Sequence, residues 1–141
     1  MKSKLETYIN VLCTLQADAL DNLDAVTAGN IVFTDPFNET ENRDQLKLIF
    51  SHMYQTLNNV KFEVFQVIYN DNASFITWRF TANSKITGSF AFEGCSEIKL
   101  NDEGLVVFHR DYWDASELMA TVPLVGKLIR SLRKKMSTNI H

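Results

Sequence analysis

The chain contains few of the residues that mark disulfide-rich, disordered or metal-binding proteins. Its 141 residues include only 2 cysteines, 2 prolines, 5 glycines and 3 histidines. Cys13 and Cys95 lie far apart, and neither has another cysteine or a histidine nearby at metal-ligand spacing, so we expect two reduced thiols in a cytoplasmic protein. The low glycine and proline content argues against linkers and disorder. We therefore expect one domain over residues 1–141, without a metal or a cofactor.

Long apolar runs and the best-known catalytic motifs are also missing. No stretch approaches the roughly 20 apolar residues that span a bilayer, and MKSKLETYIN lacks the apolar segment of a secretory signal. The sequence has no glycine-rich phosphate loop, no GxSxG elbow and no HExxH motif. These absences exclude the usual P-loop, serine-hydrolase and zinc-protease machineries.

The charges are unevenly distributed along the chain. All 17 acidic residues lie at or before Glu117, where they outnumber 9 basic residues, and the remaining 5 basic residues follow Glu117. An acidic body is not typical of a nucleic-acid-binding surface. We therefore expect no nucleic-acid partner, and the basic C-terminal part needs its own explanation.

Helical spacing dominates the N-terminal third of the sequence. Apolar residues recur at intervals of three and four and predict one or two amphipathic helices from about Lys4 to Ala28, ended by Gly29 and Asn30. The run IVFTDPF predicts a short strand closed by Pro36, and NETENR predicts a polar loop. A further apolar stripe predicts a helix over about Arg43–Leu57.

The second half has the period of two that is typical of strands. Four runs, VKFEVFQVIY, SFITWRFTANS, SFAFEGCSEIKL and LVVFHRDYW, are separated by the turn sequences NDN, KITG and NDEG, which predicts an antiparallel meander. Residues 122–137 return to helical spacing, with an apolar stripe from Val125 to Met136. Helices packed on one face of an antiparallel sheet give an α+β domain.

The terminal helix leaves two interpretations open. An apolar stripe beside five basic residues is typical of a helix that lies on an anionic membrane or binds an acidic partner. A short, singly amphipathic helix more often packs its stripe on its own sheet or caps a pocket, with the basic face in solvent. We expect the second arrangement, with membrane contact as the less favoured alternative.

Two stretches place carboxylates among large apolar groups. Alternation along VVFHRDYWD puts His109, Asp111 and Trp113 on one strand face, and alternation along IVFTDPF puts Phe33 and Asp35 on one face. Burial raises the pKa of a carboxyl group, which makes it a usable acid or base near neutral pH. Structural roles stay open as alternatives, because Asp before Pro is a strand-ending turn residue and a polar pair also fits an exposed strand end.

The order of elements resembles a known fold family. With FTDPFNE after two helices and GLVVFHRDYWD as the last strand, the sequence is similar to the nuclear transport factor 2-like superfamily, and more closely to its SnoaL-like branch of ketosteroid isomerases, limonene-epoxide hydrolases and polyketide cyclases. The resemblance covers nearly the whole chain. It implies a cone-shaped domain in which a strongly curved antiparallel sheet carries the N-terminal helices on its concave face, with an apolar pocket at the open end. It also implies a homodimer that forms through the outer face of the sheet.

The isomerases and the hydrolases suggest different site residues. Asp35, which precedes a proline, matches the catalytic base of ketosteroid isomerases, while Tyr8 and Ser96 lie near the positions of their enolate-binding Tyr and Asp. RDYWD resembles the RDYFD of limonene-epoxide hydrolases, in which an inward Asp acts as acid or base. Asp111 matches that aspartate, and His109 would then face the same pocket.

The resemblance implies a cofactor-independent small-molecule enzyme of the isomerase, cyclase or hydrolase type. Asp111 would act as acid or base on an apolar carbonyl- or epoxide-bearing ligand, with His109 as its partner and Asp35 as a second carboxylate. The predicted pocket-lining residues are Phe33, Trp78, Ser96 and Trp113. A non-catalytic ligand-binding or scaffold domain of the same fold stays open as the alternative, because the chain contains neither family's full set of site residues.

Overall fold

The computed structural model describes residues 1–138 and residue 140, within which the chain forms four α-helices and six strands. A short 3-10 turn, Leu20–Leu23, follows the first helix. The elements are α1 Lys2–Thr14, β1 Thr27–Thr34, β2 Glu39–Thr40, α2 Arg43–Thr56, β3 Asn58–Ile68, β4 Ser74–Ser84, β5 Gly88–Leu100, β6 Val106–Trp113, α3 Ala115–Met119 and α4 Val125–Met136. None of the helices in this described part is long and apolar enough to cross a bilayer.

The strands form a curved sheet in the order β2-β1-β6-β5-β4-β3, which confirms the predicted α+β cone. Strands β3 to β6 are the antiparallel meander expected from the turn sequences. Gly88 and Gly104 have φ angles of 68° and 80° in the turns after β4 and β5. A glycine suits these turns because it has no Cβ to oppose a left-handed backbone.

One junction of the sheet is parallel, although the sequence predicts an antiparallel sheet throughout. Strand β1 runs parallel to β6, with Phe33 opposite His109. Parallel neighbours need a long connection, and here α2 and the first three meander strands lie between them in the chain. Because parallel strands end at the same edge of a sheet, Asp35 beyond the end of β1 lies at the same edge as Asp111 near the end of β6.

The predicted N-terminal helices end earlier than expected. Helix α1 stops at Thr14, where Leu15 turns extended, and β1 already begins at Thr27, so the helical prediction to Ala28 is wrong. Leu15 and Leu23 keep their buried positions through a loop and the 3-10 turn. Helical spacing therefore located the buried residues correctly, but it did not reveal that separate short segments carry them.

Helices α1 and α2 contribute to the apolar core beside the sheet. Helix α1 buries Leu5, Tyr8, Ile9 and Leu12, which are spaced three and four apart. Asn42 is the N-cap of helix α2, because its side-chain oxygen accepts a hydrogen bond from the Gln45 backbone N–H at 2.9 Å. The interior between these helices and the sheet is where the candidate site lies.

The C-terminal helix does not pack its apolar stripe on the sheet, contrary to our expectation. Within α4, Gly126 is buried, whereas Val125, Leu128, Leu132 and Met136 are all exposed. The short helix α3, which the sequence did not predict, lies between β6 and α4 and takes the packing position instead. The described part of the chain consequently leaves the stripe uncovered.

Candidate functional site

Strand register places the predicted site residues in rows across the inner face of the sheet. Asp111 lies opposite Ser96, which lies opposite Ile76, while His109 lies opposite both Phe33 and Ile98. The next row pairs Trp113 with Gly94 and Gly94 with Trp78. Because directly opposite residues share a face, these rows bring side chains that are distant in sequence onto one wall. His109, Asp111, Trp78 and Trp113 are thus neighbours, as predicted.

A chain of hydrogen bonds converges on one carboxylate oxygen. Tyr8 Oη lies 2.7 Å from His109 Nδ1, and His109 Nε2 lies 2.6 Å from Asp111 Oδ1. From the other side, the Trp78 indole N–H donates to Ser96 Oγ at 2.7 Å, and the Ser96 hydroxyl donates to Asp111 Oδ1 at 2.5 Å. Five side chains from α1, β4, β5 and β6 therefore form one continuous network.

The direction of these bonds follows from the chemistry of the groups. An indole N–H can only donate and an ionised carboxylate can only accept, so Trp78 donates to Ser96 and Ser96 donates to Asp111. Toward an ionised Asp111, Nε2 of His109 is the donor, and Nδ1 lies within hydrogen-bond distance of the Tyr8 hydroxyl. The two bonds to Oδ1 fix the orientation of the Asp111 carboxyl group.

Tyr8 is a buried donor behind His109. It is 1% exposed and is absent from the residues that line the cavity, so it cannot meet a ligand as the resemblance implies. Burial, with a smaller contribution from the negative charge of Asp111, raises the pKa of Tyr8 well above its usual value. The phenol therefore stays neutral and serves to orient the imidazole.

The raised pKa of Tyr8 predicts a loss of stability at high pH. The folded state holds the phenolic proton more tightly than the unfolded chain, in which the pKa is about 10. The contribution of the protonated Tyr8 phenol to the free energy of unfolding is fully present below a pH of about 10. Above that pH it is lost, at up to ~1.4 kcal/mol per pH unit. We expect Tyr8→Phe to flatten the alkaline decline of the free energy of unfolding, measured by urea denaturation across that range. Tyr112→Phe is the matched control, because the Tyr112 side chain is exposed and lies outside the network. An unchanged alkaline slope in Tyr8→Phe would contradict the prediction.

Ser96 supports Asp111 from behind the cavity wall. It is completely buried and does not line the cavity, unlike the other three residues predicted to do so. Its hydroxyl accepts from Trp78 and donates to Asp111, which satisfies both of its hydrogen-bonding functions. The Ser96 hydroxyl thus links the Trp78 indole to the Asp111 carboxylate through two hydrogen bonds.

Gly94 makes this contact between strands possible. A Cβ at Gly94 would lie 2.6 Å from two atoms of the Trp78 ring and 2.9 Å from the Tyr112 backbone oxygen. Only a residue without a side chain lets the indole lie flat across the neighbouring strand and reach Ser96. The sequence offered a signal for this, since an isolated glycine within a strand pattern marks a close approach.

We expect Gly94→Ala to destabilise the protein by about 1–3 kcal/mol, because the added methyl group must displace the Trp78 ring in a packed interior. The free energy of unfolding from urea denaturation would measure this effect. Gly29→Ala is the matched control, since a Cβ there meets nothing within 4 Å and should change the stability by less than about 1 kcal/mol. Equal effects of the two substitutions would show that the indole contact carries no special constraint.

The network faces a large apolar cavity of about 930 Å³. Its wall is rich in aromatic rings, and Phe92 stacks on Trp113 with ring centroids 4.1 Å apart. The aromatic lining residues are Phe33, Phe37, Phe50, Tyr54, Phe62, Trp78, Phe80, Phe90, Phe92 and Trp113. A cavity of this size and character suits a drug-sized apolar molecule with a single polar group near the carboxylate.

Asp111 is the member of the network that a ligand can reach. Its side chain is 19% exposed and lines the cavity, whereas His109 also lines it but is only 3% exposed. Within the described part of the chain, the hydrogen bonds to Asp111 all end on Oδ1. Oδ2 is therefore the atom available to a molecule in the cavity.

Asp35 lines the same cavity but is committed to a turn. Its Oδ1 accepts hydrogen bonds from the backbone N–H groups of Phe37 and Asn38, each at 2.7 Å, and the Asn38 side-chain amide contacts both oxygens at 3.2 and 3.3 Å. This geometry is the turn role that remained open for an aspartate before a proline. A smaller cavity of about 410 Å³ adjoins both aspartates. The two carboxylates thus share an edge of the site but have different surroundings.

Metal-binding geometry is not found in the part of the chain that the structure describes. No group of three or more His, Cys, Asp or Glu side chains there could hold a metal ion. Likewise, every buried side-chain nitrogen or oxygen among the described residues has a hydrogen-bond partner. The buried polar groups of the site therefore satisfy their hydrogen-bonding capacity with one another.

Comparison with known proteins identifies related sequences and folds. The model of the SnoaL-like domain family matches residues 6–109, which is well over half of the chain. No curated protein matches the sequence. The family match ends two residues before Asp111, so it covers the network except for its accepting carboxylate.

Three solved structures illustrate the shared fold. A candidate SnoaL-like polyketide cyclase from Jannaschia sp. CCS1 has a TM-score of 0.75 at 12% identity, covering 87% of this chain and 93% of that one. An LEH-like epoxide hydrolase from M. tuberculosis has a TM-score of 0.67 at 14% identity, covering 97% and 94%. A protein with a ketosteroid isomerase-like fold from Catenulispora acidiphila DSM 44928, solved in complex with trimethylamine, has a TM-score of 0.72 at 14% identity, covering 86% and 92%. Identities this low establish the fold alone.

Proposed function

The chain belongs to the family of SnoaL-like domains, and we propose that it is a cofactor-independent enzyme in which Asp111 moves a proton on a small apolar molecule. Proteins of this fold include isomerases, cyclases and hydrolases, so the fold accommodates such chemistry without dictating it. The observation that carries the proposal is the hydrogen-bond chain that ends on Oδ1 of Asp111, a residue that lines the cavity.

The network gives Asp111 the properties of a positioned base. Ser96 and His109 hold one oxygen in place, so the other can approach a carbon-bound or water-bound proton with little loss of side-chain freedom. The aromatic wall excludes water, which strengthens the electrostatic effect of the carboxylate on a bound ligand. Suitable ligands carry a carbonyl group or an epoxide. Such a base can remove a proton from the carbon next to a carbonyl group, and it can activate the water molecule that opens an epoxide.

His109 and Tyr8 act through Asp111 in this proposal. When Asp111 takes up a proton, the imidazole N–H and the Ser96 hydroxyl keep the protonated carboxyl oriented toward the ligand, ready to return the proton. Asp35 is assigned the secondary role of shaping the polar edge of the cavity, because its turn already uses both of its oxygens. Asp111 would thus alternate as base and acid.

A probe that needs only a base tests the proposal without knowledge of the natural substrate. In nitrobenzisoxazole, removal of one carbon-bound proton breaks the N–O bond and gives a coloured cyanonitrophenolate. We expect the full chain to accelerate this ring opening above the rate in buffer that contains an equal concentration of acetate. An unaccelerated reaction, with the probe shown to bind by quenching of tryptophan fluorescence, would contradict a positioned base.

A non-catalytic ligand-binding domain is the second candidate function. It is favoured by the size of the cavity and by the predominance of aromatic rings in its wall, which give affinity for apolar ligands without any chemistry. In that case an apolar fluorescent dye should bind with the same affinity to the wild type and to Asp111→Asn, and neither protein should open the probe. Binding without proton transfer would support this candidate.

The expected homodimer and cytoplasmic location stay predictions. Support for the dimer comes from apolar side chains on the outer face of the sheet: Ile68, which pairs with Phe75, and Tyr112 are all exposed. Their register places them opposite the cavity side, so pairing of two copies there would leave the cavity open.

A further inference from the structure

Helix α4 presents an apolar stripe that nothing in the described chain covers. Leu128 is 60% exposed and Met136 is 85% exposed, while Val125 and Leu132 are about half exposed. These four residues lie within a narrow arc of the helix, because residues three, four and seven apart share a face. A contiguous row of large aliphatic side chains exposed to solvent is unusual in a protein surface and marks an interaction site. In α4, by contrast, the buried residue is Gly126, which has no side chain.

The opposite side of α4 holds the helix against the protein. Gly126 packs on the backbone oxygen of Ala120, so closely that a Cβ there would lie 2.4 Å from it, and the Arg130 guanidinium donates to the same oxygen. The charge of Arg133 contributes to lowering the pKa of Asp114, although hydrogen bonds from Ser116 contribute more. Gly126 and Arg130 thus hold the helix against Ala120, Ile129 is half-buried, and the residues of the stripe remain exposed.

The turn before α4 exposes another apolar residue. Leu124 has a φ angle of 69°, and the Val125 N–H donates to the Pro123 oxygen at 2.8 Å, which together form a strained γ-turn. The Leu124 side chain is 81% exposed as a result. The apolar surface of the helix thus begins one residue before its first turn.

The charge of this segment selects the chemistry of its partner. Helix α4 carries five basic residues outside the stripe, Lys127, Arg130, Arg133, Lys134 and Lys135, and no acidic residue follows Glu117. The rest of the chain has an excess of acidic residues, so this basic segment is the part whose charge complements an anionic surface. An aliphatic stripe flanked by lysine and arginine is the pattern of helices that lie in the headgroup region of anionic bilayers.

We propose that α4 binds the protein reversibly to anionic lipid bilayers, with Leu124, Leu128, Leu132 and Met136 inserted among the lipids and the lysines at the headgroups. The proposal is independent of the chemistry in the cavity. Binding of this kind depends on both the buried apolar area and the attraction of the basic residues, so each can be removed separately.

Flotation of the full-length protein with lipid vesicles tests the proposal. We expect the wild type to bind vesicles of equal phosphatidylcholine and phosphatidylglycerol, to bind pure phosphatidylcholine poorly, and to detach as salt rises from about 0.1 M to about 1 M. The double substitution of Lys134→Gln with Lys135→Gln should weaken binding roughly thirtyfold, since each basic residue near an anionic surface contributes about a factor of five. Leu128→Gln with Leu132→Gln should weaken it more than about tenfold while leaving the charge intact.

Matched controls separate the stripe from general surface effects. Leu48→Gln changes a leucine of α2 that is 69% exposed, and Lys2→Gln with Lys61→Gln removes two exposed lysines far from α4, so both controls should bind vesicles like the wild type. Because all the substituted side chains are exposed, the variants should fold, and circular dichroism would verify this. Equal binding of the wild type and Leu128→Gln with Leu132→Gln overturns the proposal. A change in oligomeric state of that variant in light scattering, without vesicle binding by the wild type, also overturns it and assigns the stripe to a contact between copies of the chain.

Discussion

Asp111→Asn is expected to slow the ring opening of nitrobenzisoxazole by about 10²–10⁴-fold, the usual contribution of a positioned general base. Asparagine has nearly the shape of aspartate, and its side-chain oxygen can still accept from Ser96 and His109. The substitution therefore removes the basic atom that faces the cavity while keeping the network largely intact. The measurement is kcat/KM for the coloured product in the wild type and the variant at the same pH.

Two further substitutions define what this result would mean. Asp35→Asn tests the other carboxylate of the cavity and should change kcat/KM much less, because Asp35 is already bonded to two backbone N–H groups. Asp102→Asn, in the turn between β5 and β6, controls for the loss of one surface charge. If Asp35→Asn abolishes the reaction and Asp111→Asn does not, the base is the residue that resembles the ketosteroid isomerase aspartate. The role of Asp111 would then be structural.

Trp78→Ala is expected to destabilise the protein by about 3–5 kcal/mol, the largest effect on stability among the site residues. The ring is almost completely buried and contacts Phe62, Phe92 and the backbone at Gly94. Its removal leaves a void in the cavity wall and also takes away the donor that holds Ser96. The free energy of unfolding from urea denaturation, followed by circular dichroism, would measure the loss.

Comparison with Trp78→Phe separates packing from hydrogen bonding. Phenylalanine keeps most of the ring contacts but cannot donate to Ser96, so we expect a smaller loss of about 1–3 kcal/mol. The same variant should also lower the rate of proton transfer, because the Ser96 hydroxyl becomes free to turn away from Asp111. A Trp78→Phe protein with full stability and full activity would show that the indole N–H has no role in the network.

Much of the fold was readable from local patterns. The meander was predicted from period-two alternation and from turn sequences, since side chains on a strand alternate regardless of their neighbours. Helix α2 was placed within one residue of its observed start and end. Helix α1 was extended too far, because a helical interval between buried leucines also occurs where a loop and a 3-10 turn carry them.

The site was predicted in part. Alternation correctly placed His109 and Asp111 on one face, and it placed Trp78 and Trp113 on the cavity wall. Asp35 was also expected in the cavity, but its bonds to Phe37 and Asn38 depend on the geometry of one turn. The role of Tyr8 depends on the docking of α1 against a strand about a hundred positions further along, which no spacing within the sequence encodes.

The sequence by itself determined which runs of its second half are strands, which residues of α1 are buried, where the hairpins turn and where the charges lie. These properties depend on the chemistry of each residue and of its close neighbours in the chain. Tertiary structure alone decided that β1 lies parallel to β6, that Tyr8, Trp78, Ser96 and His109 form one hydrogen-bond network with Asp111, and that the stripe of α4 is exposed. The physical reason is that each of these depends on how distant segments share space, and many packings satisfy the same local pattern.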